Sequence, residues 1–406
     1  MKISTKTFTF SLVIMTALFV SYGQNSRAAL GQSTVVETQE LKNNNAAIDQ
    51  YTEAIRLNPD DAEAYNNRGF AYYEKRGEGN ANSAIADYTE AIRLKPDYAE
   101  AYYNRGLAYD MKRYYDSLKR IYEYDTDYSS VIADFTEAIR LKPDYAEAYY
   151  ARGDAYARKA NTDSAIAGDT DRAIADYTEV IRLKPDDADA YKRRGDAYAK
   201  KKDTVRAIAD YTVVIRLKPD DAVICRIRGD AYAEKGDTDR AIADYTEAIR
   251  RSPDWAYAYK RRGDAYDKKK DTDRAIADYT EAIRLESKGD AEECFKEGYS
   301  AAYDKNYIRA IVNYTEAIRL KPDYAKAYFE RGNVYLIKWG PIVVKGSAAV
   351  RADTIRAIAD YTEVIRLEPD HAKAYYHRGL AYDDIGEREK AKADRQKYED
   401  LTKRRK

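Results

Sequence analysis

The 406-residue chain has few of the residues on which metal and thiol chemistry depend. It contains two histidines and two cysteines, so most metalloenzyme and thiol-enzyme functions would lack ligands or a nucleophile. It also lacks an excess of either charge, because 70 Lys and Arg balance 70 Asp and Glu. A net charge of zero argues against nucleic-acid binding through phosphate neutralisation. With no glycine-rich phosphate loop and no Ser-His-Asp set in the sequence, we expect a protein that is not an enzyme and that has no cofactor or metal.

Long apolar runs are equally scarce, and only the N-terminus has one. Residues 1–23 begin with Lys2 and Lys6, continue with an apolar run from Phe8 to Val20, and end in small residues. This run is shorter than the roughly 20 residues that cross a bilayer. We therefore predict a secretory signal peptide cleaved near Gly23, with an uncleaved N-terminal anchor as the alternative. The mature chain would then be periplasmic, outer-membrane-associated or secreted, without inserting into a membrane itself.

Tyrosine, in contrast, is in large excess, with 41 residues against 7 Phe and 2 Trp. The excess comes from a repeated pattern. The string RAIADYTEAIR occurs at 240–250 and again at 274–284, and it alternates with a second string of the form AYxxRGxAY. Eight of the nine prolines follow the first string, and the spacing is 34 residues where the repeat is tight. A period of this length is typical of repeat architectures.

Each string predicts an amphipathic helix, because its apolar residues fall on one face and its charged residues on the other. Asp237 is predicted to cap the N-terminus of a second helix, and Pro253-Asp254 to end one helix and cap the next. Neither helix can bury its apolar stripe alone, whereas stacked copies can, so we predict a solenoid. The predicted stripe of one copy comprises Ala241, Ile242, Tyr245, Ala248 and Ile249.

The pattern resembles the tetratricopeptide repeat, a 34-residue helix-turn-helix unit. The resemblance covers residues 46–402 and implies an all-α, right-handed α-solenoid superhelix of about nine stacked helix pairs, preceded by a lone second helix. Residues 24–45 would be a polar linker or a degenerate first helix, and 403–406 a basic tail. One departure is an arginine before the glycine in many copies, such as Arg228, where the family usually has leucine. In one copy the motif is carried by Tyr191, Gly195, Tyr198, Ala207, Tyr211 and Pro219.

Four pairs carry extra residues between their two helices, and we expect these insertions to emerge along one edge of the solenoid. The three largest lie at 110–130, 158–171 and 339–353. The first is rich in tyrosine, and the last contains an apolar stretch from Trp339 to Val344.

In the family, the first helices line a concave groove that holds extended peptides or partner helices. Here two positions facing that groove differ between copies, one three residues before each glycine and one directly after it. We predict that aromatic residues at both ends anchor apolar side chains of a partner, while charged residues in the middle fix its register. Alternatively, the charged residues simply pair with one another along a helix. The predicted groove residues are Asn66, Tyr103, Tyr150, Lys192, Arg226, Lys260, Phe295, Phe329 and Tyr376, together with Asp196, Asp230 and Asp264.

The predicted function is a non-enzymatic scaffold that binds partner peptides or proteins in this groove, and not nucleic acid. Two alternatives stay open: an envelope-assembly or secretion accessory factor at the outer membrane or cell wall, and a non-catalytic subunit of an envelope enzyme complex. We expect His371 and His377 to be solvated surface residues. Cys225 and Cys294 replace the same aromatic residue two repeats apart, so we expect small buried side chains and no disulfide.

Overall fold

The computed structural model describes residues 43–119, 127–162, 166–286, 289–338 and 348–403. These residues form 19 α-helices and contain no β-strand. The predicted signal peptide at 1–23, the apolar stretch from Trp339 to Val344 and most of the basic tail lie outside the described residues. None of the described helices combines the length and the apolar character that a bilayer-crossing helix needs.

The chain divides into two compact units, residues 1–197 and 198–406. The first unit contains α1 (43–57), α2 (Ala62–Lys75), α3 (Glu78–Leu94), α4 (Ala99–Lys119), α5 (Ser129–Leu141), α6 (Ala146–Thr162), α7 (Ile166–Leu183) and most of α8 (Ala188–Lys200). The second contains α9 (Thr204–Leu217), α10 (Ala222–Lys235), α11 (Thr238–Arg251), α12 (Ala256–Lys268), α13 (Thr272–Glu286), α14 (Ala291–Tyr303), α15 (Tyr307–Leu320), α16 (Ala325–Ile337), α17 (Ala348–Leu367), α18 (Ala372–Asp384) and α19 (Arg388–Lys403).

Within each unit the helices pack as consecutive pairs. In the first unit α2 packs on α3, α4 on α5 and α6 on α7, and the second helix of a pair also contacts the first helix of the next. The second unit repeats this arrangement from α10 and α11 through α18 and α19, except that α13 contacts mainly α15, the second helix of the next pair. Alanines and tyrosines of the predicted stripe form the buried surfaces between these helices. The predicted all-α solenoid of helix-turn-helix pairs is therefore confirmed for the residues that the structure describes, whereas the prediction that a lone second helix leads it stays a prediction.

A glycine on the first helix and an aromatic ring on the second set how closely a pair approaches. The ring of Tyr279 lies so near Gly263 that a Cβ there would be 2.7 Å from the ring Cε1. Phe135 approaches Gly106 in the same way. Only a residue without a side chain permits this contact, which explains why the glycine recurs in each copy. The last pair differs, because a Cβ on Gly379 would meet no atom closer than 3.4 Å.

The predicted helix caps are correct for one turn and wrong for the other. Asp237 accepts a hydrogen bond from the Arg240 N–H at the start of α11, as predicted. Asp254 does not cap α12, because the N-cap position falls one residue later, at Trp255, which makes no side-chain cap bond. Where a second aspartate follows the first, as at Asp221, it caps the helix by accepting from two backbone N–H groups.

Residues of the insertions partly lengthen the helices instead of only widening the turns. α4, α7 and α17 contain 21, 18 and 20 residues, whereas α10 and α11 contain 14 each. In α4, the Tyr115 hydroxyl accepts a hydrogen bond from the Gly77 N–H at 2.9 Å. Tyr128 is buried, and the Arg113 guanidinium lies 3.9 Å from its ring centroid. The described part of the tyrosine-rich insertion thus packs onto the repeats.

Candidate partner-binding site

The arginine that precedes the glycine in all but one of the first helices is the side chain whose role the sequence analysis missed. Arg228 donates from Nε and Nη2 to both carboxylate oxygens of Asp244, at 2.8 and 2.7 Å. Its Nη1 also donates to the Thr212 hydroxyl on the preceding helix, at 3.0 Å. Each such arginine therefore ties three helices together through a bidentate contact. Further pairs of this kind are Arg68–Asp87, Arg105–Asp134, Arg152–Asp176, Arg262–Asp278, Arg331–Asp360 and Arg378–Asp394.

The pair α14–α15 lacks this contact, and both of its partners differ together. Glu297 stands at the arginine position and Asn313 at the aspartate position. Glu297 binds Arg309 at 2.9 Å, and the Asn313 amide donates to the Arg309 carbonyl at 3.0 Å. The joint change avoids a buried carboxylate without a partner, which is the costly outcome. The fixed spacing of 16 residues between Arg and Asp in tight copies was the signal in the sequence.

The charged residues predicted for the middle of the groove pair mainly within the fold. Lys192 binds Asp196 at 2.8 Å, and Arg226 binds Asp230 at 2.5 Å, each within one helix. These contacts match the alternative in which the charges satisfy each other.

Lys260 and Asp264, in contrast, do not bind each other. The Lys260 ammonium lies 2.5 Å from Glu286. Asp264 accepts hydrogen bonds from the Tyr279 hydroxyl and the Asn306 amide, both at 2.8 Å. The Asp264 carboxylate therefore joins α12 to α13 and to the N-terminus of α15.

The predicted aromatic residues of the second unit are partly used in packing. Phe295 lies between Tyr314 and Tyr324, with ring centroids 5.6 and 5.1 Å away. Phe329 packs on Tyr361 at 5.8 Å. Tyr376 is the most open of the set, with 42% of its surface exposed.

The expectation of solvated histidines is wrong, because both histidines belong to the aromatic packing around Phe329. His371 occupies the N-cap position of α18, where its Nδ1 accepts from the Ala374 N–H at 3.1 Å. The His377 ring lies 5.5 Å from that of Phe329 and 5.8 Å from that of Tyr361. Cys225 and Cys294 are buried and form no disulfide, as predicted.

We expect His377 to make the stability of the second unit depend on pH. Its burial, with smaller contributions from Lys373 and His371, lowers the pKa of His377 from the ordinary 6.5. The unfolded chain therefore binds a proton at this position more readily than the folded chain does. The free energy of unfolding falls as the pH drops below the pKa of free histidine, about 6.5. The loss is complete once the pH is below the lowered pKa.

Thermal unfolding between about pH 8 and pH 5 measures this effect. We expect His377→Phe to flatten the dependence, because phenylalanine keeps the ring contacts and cannot be protonated. A variant with the same pH dependence as the wild type would contradict the assignment to His377.

Two of the predicted groove residues, Tyr103 and Tyr150, come together at a cleft in the first unit. The cleft has a volume of about 300 Å³ and lies among α4, α5, α6 and α7. Asn66, predicted for the same end of the groove, is instead buried and accepts a hydrogen bond from Asn104 at 3.1 Å. The apolar lining of the cleft comprises Leu107, Val131, Phe135, Ala151, Ala155 and Val180.

The charged residues that line the cleft have partners in the fold. Arg158 binds Asp110, and Lys184 binds Glu147, both at 2.5 Å. The hydrogen bond from Lys184 lowers the pKa of Glu147. The first of these ion pairs joins two neighbouring helix pairs, and the second lies within the pair α6–α7. The remaining two are also engaged: Asp154 accepts from the Tyr177 hydroxyl, and Asp187 accepts from the backbone at the start of α8.

Family comparison identifies the repeats. The family described as "TPR repeat" matches residues 40–75, 77–112, 127–159 and 304–337. Families described as "Tetratricopeptide repeat" match residues 166–222, 228–290 and 372–401. The chain belongs to the tetratricopeptide-repeat family. Repeats of this family typically form non-catalytic protein-interaction scaffolds, and the described residues contain no cluster of His, Cys, Asp or Glu arranged to hold a metal ion.

This tetratricopeptide-repeat protein is similar to several solved structures, each at low sequence identity. One is YrrB, described as a TPR protein with an unusual peptide-binding site, at 22% identity over 51% of this chain and 95% of that chain, with a TM-score of 0.42. A thermophilic TPR protein from Thermus thermophilus is 19% identical over 50% and 98%, with a TM-score of 0.34. Yeast Tom70 is 15% identical over 89% of both chains, with a TM-score of 0.34. A search of curated proteins finds no significant match.

Proposed function

We propose that this tetratricopeptide-repeat protein is a non-enzymatic scaffold that binds an extended segment of a partner protein in the cleft between α4 and α6. The observation that carries the proposal is the cleft itself, where Tyr103 and Tyr150 flank an apolar floor. Its volume is at the lower end of the roughly 300–1,000 Å³ of binding pockets. A site of this size accommodates one or two side chains of a peptide, which the tyrosines would contact.

We also propose that the protein acts after export, within the envelope. The basic start and short apolar run of residues 1–23 support this. A partner at the outer membrane or cell wall would be compatible with such a location. N-terminal sequencing of the protein from fractionated cells tests the export: a mature chain starting near residue 24 supports it, whereas an intact chain in the cytoplasm contradicts it.

Site-specific photo-crosslinking tests the cleft. A photoreactive amino acid replaces Tyr150 in the cleft or, as the control, Leu57, which is 69% exposed on α1. We expect an adduct from position 150 that is absent from position 57. The crosslinked segment is then synthesised and titrated against the purified protein. We expect Ala151→Trp, which fills the cleft, to weaken its binding at least tenfold.

Two further measurements on Ala151→Trp decide whether the segment binds in the cleft. Circular dichroism has to show that Ala151→Trp is folded, so that lost binding reports on the cleft. Equal binding of the segment to the wild type and to folded Ala151→Trp would reject the cleft as the site.

A further inference from the structure

A buried tyrosine hydroxyl is held by an acidic group in several helix pairs. The Tyr177 hydroxyl donates to Asp154 at 2.7 Å, and the Tyr245 hydroxyl donates to Asp230 at 2.8 Å. Tyr279 makes the same contact with Asp264 at 2.8 Å. In each pair the acceptor is the residue directly after the glycine of the first helix. This hydrogen bond places a carboxylate beside the ring.

The pair α4–α5 has lost both partners of this hydrogen bond. Leu107 stands at the aspartate position and Phe135 at the tyrosine position. Replacing both partners by apolar groups leaves no unsatisfied polar atom, so the exchange costs little stability. Where only the aspartate differs the result depends on its replacement: the Tyr361 hydroxyl donates to Asn333 at 2.9 Å, whereas the buried Tyr314 hydroxyl has no hydrogen-bond partner in the structure.

Leu107 and Phe135 form the floor of the cleft. Phe135 is 2% exposed, packs with Val131 and Ala155, and is partly covered by Leu107. Both side chains line the open volume. The departure from the repeat therefore occurs at the position where the cleft lies, and it exchanges a carboxylate for an aliphatic side chain.

The floor of the cleft favours a neutral occupant, because Leu107 and Phe135 carry no charge and the charged residues at its edge already have partners. Arg158, Lys184 and Glu147 are engaged in ion pairs across neighbouring helices. A charged group on the apolar floor would lose its hydration without gaining a partner, which is strongly unfavourable. An apolar side chain would bind there favourably, because its apolar surface would be removed from water.

We propose that the Leu107–Phe135 exchange makes the cleft selective for an uncharged, apolar peptide side chain, such as leucine, isoleucine, methionine or phenylalanine. The inference rests on the proposed function, because it names the ligand class of the same cleft. It assigns the specificity to two residues that distinguish this helix pair from its neighbours.

Selection from a phage-displayed library of random dodecapeptides tests the proposal. The bait is the purified full-length protein, and the enriched peptides are synthesised and titrated. We expect the wild type to enrich peptides that share an apolar anchor residue. The double variant Leu107→Asp/Phe135→Tyr introduces the Asp–Tyr pattern of the pairs that contain Asp154, Asp230 and Asp264, and we expect it to bind these peptides at least tenfold more weakly.

Leu118→Asp is the matched control, because Leu118 also lies on α4 but is 56% exposed and does not line the cleft. It should bind as the wild type does. If the double variant unfolds by circular dichroism, Leu107→Asn serves in its place, since it adds a polar group without a charge.

The two proposals fail in different ways. If Ala151→Trp abolishes binding while the polar variants bind the apolar peptides as tightly as the wild type, the cleft is the site but the specificity assignment is wrong. Enrichment of peptides with a charged anchor overturns the assignment as well. If folded Ala151→Trp also binds normally, the proposed function itself is wrong.

Discussion

Alanine in place of Gly263 lowers the thermal unfolding midpoint, whereas alanine in place of Gly379 raises it. At Gly263 the new Cβ would lie 2.7 Å from Cε1 of Tyr279, whose ring is 1% exposed and has no space to move. Overpacking of this kind costs about 1–3 kcal/mol. The better helix propensity of alanine returns only about 0.5–1 kcal/mol. We therefore expect a net loss of stability at position 263.

Gly379 is the matched control because it occupies the same place in the last pair. A Cβ there would lie 3.4 Å from the nearest atom, the Ala391 carbonyl oxygen, which is an ordinary contact distance. Only the propensity gain of about 0.5–1 kcal/mol remains. Circular dichroism during heating compares the two variants with the wild type. Two shifts of the same sign would show that the tyrosine contact does not govern the requirement for glycine.

We expect leucine in place of Arg331 to lower the free energy of unfolding more than any other replacement of a single charged residue proposed for this chain. Arg331 binds Asp360 through two nitrogens, and the two side chains are 15% and 6% exposed. Removing the guanidinium leaves a buried carboxylate without its partner, which costs about 3–5 kcal/mol. The double variant Arg331→Leu/Asp360→Leu removes both charges, and we expect it to recover most of the lost stability.

Acid should partly rescue the single variant. Burial already raises the pKa of Asp360 above its ordinary value, although Arg331 acts to lower it. Without Arg331 the folded pKa rises further, so the folded chain binds a proton more readily than the unfolded chain. The deficit of Arg331→Leu is therefore full at neutral pH and shrinks as the pH falls towards that raised pKa.

An exposed ion pair on α17, the helix that carries Asp360, provides the comparison. Arg366 binds Glu363 at 2.6 Å, but the two side chains are 64% and 30% exposed. Surface pairs contribute little because water and salt screen them. Arg366→Leu should therefore leave the unfolding midpoint close to that of the wild type. A loss as large as that of Arg331→Leu would show that burial is not the cause.

Helix positions were the most predictable feature of the chain. The repeated stripe of alanine and tyrosine marks the buried face of a helix whatever the insertions around it. The N-cap of α12 was predicted one residue too early, because the sequence pattern does not show whether Asp254 or Trp255 takes the N-cap position. Only the backbone geometry shows that the N-cap is two residues beyond the proline.

The predicted groove was harder to assess because sequence position reports which residues share a face, not what they contact. Tyr103 and Tyr150 do meet at one cleft. Asp230 faces the predicted groove in the repeat pattern, yet it accepts a hydrogen bond from Tyr245. That bond joins residues 15 apart on different helices. A contact of this kind depends on how the helices cross, which periodicity does not encode.

The sequence by itself determined that the chain is a stack of helix pairs and which apolar side chains form its core, because a repeating apolar stripe must be buried against a neighbouring helix to leave water. Only the tertiary structure decided which polar side chains serve the fold and which line an open surface. The Arg–Asp contacts and the cleft both depend on side chains from several helices. Their distances depend on how closely an aromatic ring of one helix approaches a glycine of its partner, not on their order in the chain.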